Sequence, residues 1–373
     1  MIFGWIDSAY LWAYAIMQVP WAYISERWLG AKWTVTVGTA LIAVSSIVYA
    51  FNVESVALSI IARALIGVGA AAIWVPVTPV LARWFAPQKK GLAMGITATG
   101  GAVGQFLGGA LMPILITGPF IIFGLSTIQS GFLWSAIPGI IMTLIIPFFL
   151  KNEPEEMGLT SLDTSQEEMD KQSQDEPTFT YILKHSFYPY LLCIVYAGYL
   201  GALYYVWTWF AAYLQQEYGI DVRAAGMLWA ISSTLPALLS QPLGGYLSDR
   251  LGRKRVASGA LLLTTLLAST FAIFAAITVP LWITITLVFV FAIFVNMWVV
   301  IWPFTNTMFP TKAGAPIGGL MNTAAQLVGA SAPIISGYFI DATSSYIPVF
   351  LLGALCAFIG FIASLFLKEE RVI

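Results

Sequence analysis

Residues 245–255 read Gly245-Tyr246-Leu247-Ser248-Asp249-Arg250-Leu251-Gly252-Arg253-Lys254-Arg255, and they lie between two long apolar runs. A second, less complete copy occurs early, as Ala22-Tyr23-Ile24-Ser25-Glu26-Arg27-Trp28-Leu29-Gly30-Ala31-Lys32. Each copy sets a carboxylate (Asp249, Glu26) beside an arginine (Arg250, Arg27). A glycine (Gly252, Gly30) and further basic residues then follow, Arg253 among them. A helix that ends in a carboxylate, turns on glycine and meets a basic cluster is what a short hairpin between two membrane helices needs. Gly245, four residues before Asp249, shares its helix face, where a missing side chain lets another helix come close. The early copy has Ala22 at that place and one extra residue after Arg27. A motif that occurs twice predicts a chain built of two halves.

Composition sets the solvent. The chain is 59% hydrophobic and 9% charged, with a mean hydropathy of +0.84, whereas soluble domains carry roughly 25% charged residues. Only helices and closed barrels satisfy their backbone groups in lipid, and long runs without period-two alternation predict helices. A membrane helix needs ~20 apolar residues. The sequence offers such spans at 4–24, 33–51, 56–82, 91–116, 131–150, 187–214, 224–248, 256–277, 280–306, 317–340 and 346–367. Residues 113–130, broken by Pro and Gly, read as an outer connection.

The chemistry that composition excludes is considerable. Cys193 and Cys356 both fall inside apolar runs, so no disulfide framework or metal spacing is available. His185 is the only histidine, which removes His-based metal sites and most catalytic triads. There is no nucleophile–base constellation, so an enzyme is not expected and no cofactor is implied. No phosphate-binding loop appears, which argues against ATP-driven work, and nothing points to nucleic acid. The start, Met1 to Asp7, lacks the basic region of a signal peptide.

Charge orients the spans. With this assignment 15 of the 17 basic residues fall in loops on one side. Arg223 alone lies opposite, and Arg63 is inside a span. Basic loops mark the cytoplasmic face, so an integral, multi-pass plasma-membrane protein with a cytoplasmic C-terminus and an outside N-terminus is expected. Residues 151–185 form the one long polar segment, and it is acidic, a solvated linker between bundles. The expected division is therefore a five-helix bundle at 1–150, a linker at 151–185 and a six-helix bundle at 186–373. The halves repeat in register: Glu26 precedes Phe85 much as Asp249 precedes Phe309, and Phe85-Ala86-Pro87-Gln88-Lys89-Lys90-Gly91 is similar to Phe309-Pro310-Thr311-Lys312-Ala313-Gly314. Internal repeats of this kind build many secondary transporters.

Together these motifs resemble the major facilitator superfamily. Beyond the two hairpin loops, Arg63-Ala64-Leu65-Ile66-Gly67-Val68-Gly69 resembles the Arg-x-x-x-Gly-x-Gly element of that family's fourth helix. Arg83–Gly95 resembles its next cytoplasmic loop, and Asn152-Glu153-Pro154-Glu155-Glu156-Met157-Gly158-Leu159 the segment that often closes its first bundle. Ser8-Ala9-Tyr10-Leu11-Trp12-Ala13-Tyr14 is similar to the organic-anion branches, the anion:cation symporter, oxalate–formate and monocarboxylate groups; Gly337–Tyr346 points the same way. The resemblance implies an all-α membrane protein of two pseudo-symmetric bundles. Five plus six helices are legible here against the family's twelve, and the first residues match its second helix. A further helix before Met1 is the expectation, with an eleven-helix protein as the other reading.

Arg63 is the sharpest candidate for chemistry. It lies seven residues into its span, ~10 Å from the outer end. An arginine within a span costs about 2.5–3.5 kcal/mol on insertion scales, so it faces a cavity or a partner. An anionic substrate supplies that counter-charge in two hydrogen bonds; snorkelling, backbone carbonyls or Glu54 are the structural alternative. Tyr196 and Trp207 share a face of the aromatic-rich span 187–214 and shape a dry path, or simply pack. Asn296 and Gln105 are buried amides that bind either solute or neighbouring helices, as do Asn322 and Gln326. Gly104 and Gly108 lie on a glycine ridge for helix packing. The resemblance implies a conformational gate at helix ends for Asp249, Arg250, Arg253, Glu26, Arg27, Gly245 and Gly252, with solvated loop charges as the other reading of Asp249 and Glu26.

The reading that follows is a secondary active or facilitated transporter of a small, carboxylate-type organic anion by alternating access, with the bilayer as surroundings and, in the active case, a coupling ion as a further partner. A carrier of a neutral or cationic solute, with Arg63 structural, is the nearest alternative. A transport-incompetent sensor or accessory subunit is another.

Overall fold

The computed structural model describes residues 2–117, 122, 124–159, 178–277 and 279–368. Among them every regular element is helical: α1 (Ile2–Ile24), α2 (Gly30–Phe51), α3 (Val56–Trp84), α4 (Lys90–Thr117), α5 (Thr127–Phe149), α6 (Phe179–His185) and α7 (Tyr188–Tyr218) come first. Then follow α8 (Val222–Trp229), α9 (Leu235–Leu251), α10 (Arg253–Ala276), α11 (Leu281–Val295), α12 (Trp302–Thr307), α13 (Thr311–Thr343) and α14 (Ile347–Ser364). Eight helical stretches of the described residues are long and apolar enough to cross a membrane, one of them being α1 and α2 run together as Ala9–Phe51. The expected connection at 113–130 is helical at both ends, where α4 reaches Thr117 and α5 begins at Thr127. Residues 118–121 and 123 of it, and 160–177 of the linker, lie outside the described residues.

Local chemistry sets the element ends. Ser55 caps α3 by accepting from Leu58 N at 3.4 Å. Ser126 and Gln129 cap α5 reciprocally, each side chain bonded to the other's backbone N–H. The two hairpin motifs turn on glycines with positive φ, +69° at Gly30 and +95° at Gly252, a region that residues with a Cβ avoid. The extra residue after Arg27 is taken up as a π turn, Ser25–Leu29, between α1 and α2. Two expected spans are interrupted: 224–248 by a π turn at Ala230–Thr234, and 280–306 by a 3₁₀ segment at Asn296–Ile301.

The contacts divide into two compact units. Unit 1 comprises Met1–Pro87, Leu111–Tyr181 and Pro310–Thr323. Here α3 packs on α1 and α2, and α5 on α2. Small residues make the crossings, as expected where lipid supplies no hydrophobic drive between helices. Gly67 lies against the α1 backbone at Tyr10 and Tyr14, and Gly38 against Gly69 and Ala72. Trp21 Nε1 donates to Val68 O at 2.8 Å, and Thr143 Oγ1 meets Thr39 Oγ1 at 3.1 Å. The first turns of α13 join this unit, where Thr323 Oγ1 donates to Ala15 O at 2.8 Å.

Unit 2 comprises Gln88–Ala110, Ile182–Phe309 and Ala324–Ile373. α14 packs on α7 and α10, with Gly198 of α7 directly against Gly360 of α14. Tyr199 Oη donates to Ala257 O at 2.9 Å, and Ser364 Oγ to Ser258 Oγ at 2.7 Å. Phe271 and Phe350, 4.2 Å apart at their ring centres, pack with Tyr213 in an aromatic core.

Candidate functional site

In unit 1, Arg63 projects from α3 into a cleft of about 500 Å³ between α2, α3 and α5. Its guanidinium carbon lies 5.8 Å from the ring centres of both Tyr10 and Phe132. Ring faces offset part of the cost of taking a cation out of water, by about 0.5–2 kcal/mol each. Ser46, Thr127 and Ser135 add hydroxyls to an otherwise apolar lining of Ile42, Ile66, Ile128 and Phe132. Tyr10 stacks in turn on Tyr14, at 6.0 Å, and Asn322 Nδ2 donates to Tyr14 Oη at 3.4 Å. The arrangement is one cation in a mostly apolar cleft with a few hydroxyls, the pattern of a small-ligand site. Sequence reasoning missed Tyr10 and Phe132 as partners of Arg63, because contacts across 53 and 69 positions leave no local signal.

The other expected binding residues lie in unit 2. Tyr196 is buried on α7, edge-on to Trp298 at 5.9 Å and to Trp302 at 5.7 Å. Asn296, also buried, donates from Nδ2 to Ala292 O at 2.8 Å. It thereby caps the end of α11 just where the 3₁₀ segment begins. The carbonyl of Trp207 accepts from Trp229 Nε1 at 3.0 Å, and the two indoles meet edge to face. Tyr204 Oη donates to Gln326 Oε1 at 3.1 Å. Gln105 is exposed. Gly104 and Gly108 have no described atom within 4 Å of where a Cβ would stand.

The later hairpin motif is built into a contact with the start of α4. Asp249 accepts from Gly91 N at 3.0 Å through one carboxylate oxygen and from Leu92 N at 2.9 Å through the other. Those amides belong to the first turn of α4, whose N–H groups lack intrahelical partners and whose dipole favours negative charge. Gly245 lies against the carbonyl of Gly91, and Gly95 against the carbonyl of Gln241, so neither place admits a side chain. Arg253 Nη1 donates to Thr307 Oγ1 at 3.1 Å, and Arg250 stacks its guanidinium 4.7 Å from the Tyr246 ring. Asp249 lies one residue beyond the span expected at 224–248. Burial raises its pKa, while the Leu92 and Gly91 amides and the Arg253 charge pull the other way.

The early copy is wired differently. Arg83 stands 3.9 Å from Glu26 and 3.8 Å from Glu153, bridging the hairpin to the segment after α5. Asn152 Oδ1 accepts from Lys32 N at 2.9 Å, and Asn152 N donates to Glu156 Oε1 at 2.9 Å. Arg27 lies 5.4 Å over the Tyr23 ring. A polar cleft of about 190 Å³ lined by Glu26, Arg27, Arg83, Asn152 and Glu153 lies among them.

The profile of the Major Facilitator Superfamily matches residues 1–235 and 192–372. The chain is 27% identical over 380 residues to a probable sulfoacetate transporter of Cupriavidus necator, covering 98% of this chain and 84% of that protein. It is 26% identical to a hexuronate transporter of Bacillus subtilis, covering 95% and 83% respectively. A probable galactarate/D-glucarate transporter of Bacillus subtilis is 24% identical over 92% of this chain and 78% of its own. Among solved structures, the Escherichia coli fucose:proton symporter superposes with a TM-score of 0.72 at 15% identity, covering 100% of this chain and 91% of that one. A proton:xylose symporter bound to 6-bromo-6-deoxy-D-glucose gives 0.79 at 15% identity, covering 99% and 87%. At that identity the likeness is one of fold.

Proposed function

The chain belongs to the Major Facilitator Superfamily, a family of membrane transporters, and from that premise we propose that it carries a small carboxylate-type organic anion by alternating access. The observation that carries this reading is Arg63, its guanidinium between the Tyr10 and Phe132 rings in the unit 1 cleft. A planar guanidinium matches a carboxylate or sulfonate in paired hydrogen bonds, and the apolar lining raises the worth of each. The substrates in the names of the relatives, sulfoacetate, hexuronate and galactarate/D-glucarate, are anions and support the same reading. In this scheme the moving parts are the bundles 1–150 and 186–373, joined by 151–185. Tyr196, Trp207, Asn296 and Gln105 are further contacts of the solute. Asp249 and Glu26, with Arg250, Arg253 and Arg27 and the Gly245 and Gly252 turn, bias closure on the side of the basic loops. That side faces the cytoplasm of a plasma membrane.

The test is uptake into proteoliposomes, with competition by hexuronate and sulfoacetate against neutral sugars and lipophilic cations. Anions alone are expected to compete. Arg63→Gln is expected to weaken anion competition by ten- to a hundredfold, from the loss of charge-assisted hydrogen bonds worth about 1.5–3 kcal/mol. The two rings that hold Arg63 favour one other reading, a structural arginine in a carrier of neutral solutes. Sugar competition that survives in Arg63→Gln supports it and sinks the anion reading.

A further inference from the structure

A third cleft, of about 470 Å³, runs along an exposed side of unit 2 between α7 and α14. Its walls are Phe187, Leu191 and Ile194 on one side and Ile359, Ile362 and Phe366 on the other. Phe187 and Phe366 are 64% and 66% exposed, large aromatic surfaces that water would penalise. Nearby, the backbones of Gly198 and Gly360 touch. Along α7 the lining runs from Phe187 to Ile194, seven residues or ~10 Å at 1.5 Å per residue, less than half of a ~30 Å hydrocarbon core. The cleft therefore fits within one leaflet.

Two lysines stand at its open end. Lys368 follows Phe366 by two residues and holds its ammonium 6.0 Å from the ring centre of Tyr188, next to Phe187. Lys184, exposed at the end of α6, precedes Phe187 by three residues. Glu369, Glu370 and Arg371 come directly after Lys368 in the sequence, so that tail is close to neutral overall and the phosphate contact is asked of the Lys368 and Lys184 side chains alone. An apolar trough within one leaflet, ending at the water boundary in lysines and a tyrosine, has the form of a phospholipid.

We propose that this cleft is a binding site for one anionic phospholipid, an acyl chain lying between α7 and α14 and the phosphate at Lys368 and Lys184. A lysine near an anionic headgroup contributes about fivefold in affinity. The proposal rests on the membrane-spanning fold and not on the anion reading of the transport site, so the two fail independently.

Native mass spectrometry of the purified full chain decides it, titrating palmitoyl-oleoyl phosphatidylglycerol against phosphatidylcholine of the same chains. Wild type is expected to retain phosphatidylglycerol roughly five- to thirtyfold better. Lys184→Gln with Lys368→Gln should erase that preference, and Ile359→Trp, which fills the trough, should weaken both lipids. Thermal unfolding of each variant checks that it is folded; both lysines are exposed. Equal retention of the two lipids by wild type, a preference that survives the lysine variant, or unchanged retention of both lipids by Ile359→Trp overturns the proposal.

Discussion

Gly245→Ala tests whether the hairpin motif is a contact device. In the structure a Cβ at Gly245 would overlap the carbonyl of Gly91 and stand 3.1 Å from Leu92 Cα. All the clashing atoms are backbone, so no side chain can swing away. Overpacking of this kind costs about 1–3 kcal/mol. Alanine in a helix interior returns about 0.5–1 kcal/mol of backbone entropy relative to glycine. The net is roughly 1–2 kcal/mol against the α4–α9 contact, a five- to thirtyfold change in its opening equilibrium. Gly104→Ala is the control within α4, because nothing described lies within 4 Å of its Cβ position; there only the entropy gain remains and a small stabilisation is expected. Hydrogen exchange of peptides covering Gly91 and Leu92 reads the contact directly, and thermal unfolding in detergent reads the sum. If Gly245→Ala matches Gly104→Ala in melting temperature and leaves those amides protected, the close approach does not hold α4 in place and the reasoning fails.

Asp249→Ala removes the acceptor of two amides and is expected to cost about 1–3 kcal/mol of that same protection; unchanged exchange at Gly91 and Leu92 would count against it. Burial raises the pKa of docked Asp249 above the ordinary aspartate range. The docked group therefore binds its proton more tightly than the released one, acid favours docking, and the advantage fades as pH rises through the raised value. Protection at Gly91 and Leu92, corrected for intrinsic exchange, should then increase as pH is lowered from neutrality through the raised value, with the dependence gone in Asp249→Asn. Arg83→Gln breaks two loose, part-exposed ion pairs with Glu26 and Glu153, and a loss of no more than about 1 kcal/mol in thermal stability is expected; a larger loss would show that the pairs act as one network. Arg63→Lys keeps the charge but not the planar fork, and weaker anion competition at unchanged melting temperature is the expected result.

How far the sequence reaches is visible in particular residues. Both hairpin glycines were legible, because only a residue without a Cβ accepts φ of +69° or +95°. Gly245 was legible as a place of close approach, yet its neighbour Gly91 was not, since 154 positions separate them and no local rule joins a helix end to another helix start. The extra residue after Arg27 was legible only as a departure from the pattern. In the structure it becomes one π turn that leaves the glycine at the hairpin. Asn296 was flagged as a buried amide, and its bond to Ala292 O explains why it is tolerated. The change from α to 3₁₀ that it begins was invisible, because the run 280–306 is uniformly apolar apart from threonines and the amides at Asn296 and Asn306. The same holds for Arg63. Insertion cost alone argues for a cavity or a partner, and the structure answers with two aromatic rings and a cleft, each supplied by a helix far along the chain. Cost is readable from one residue, whereas compensation needs the fold. That asymmetry makes lone polar groups in apolar spans the places where a sequence argument and a structure most need one another.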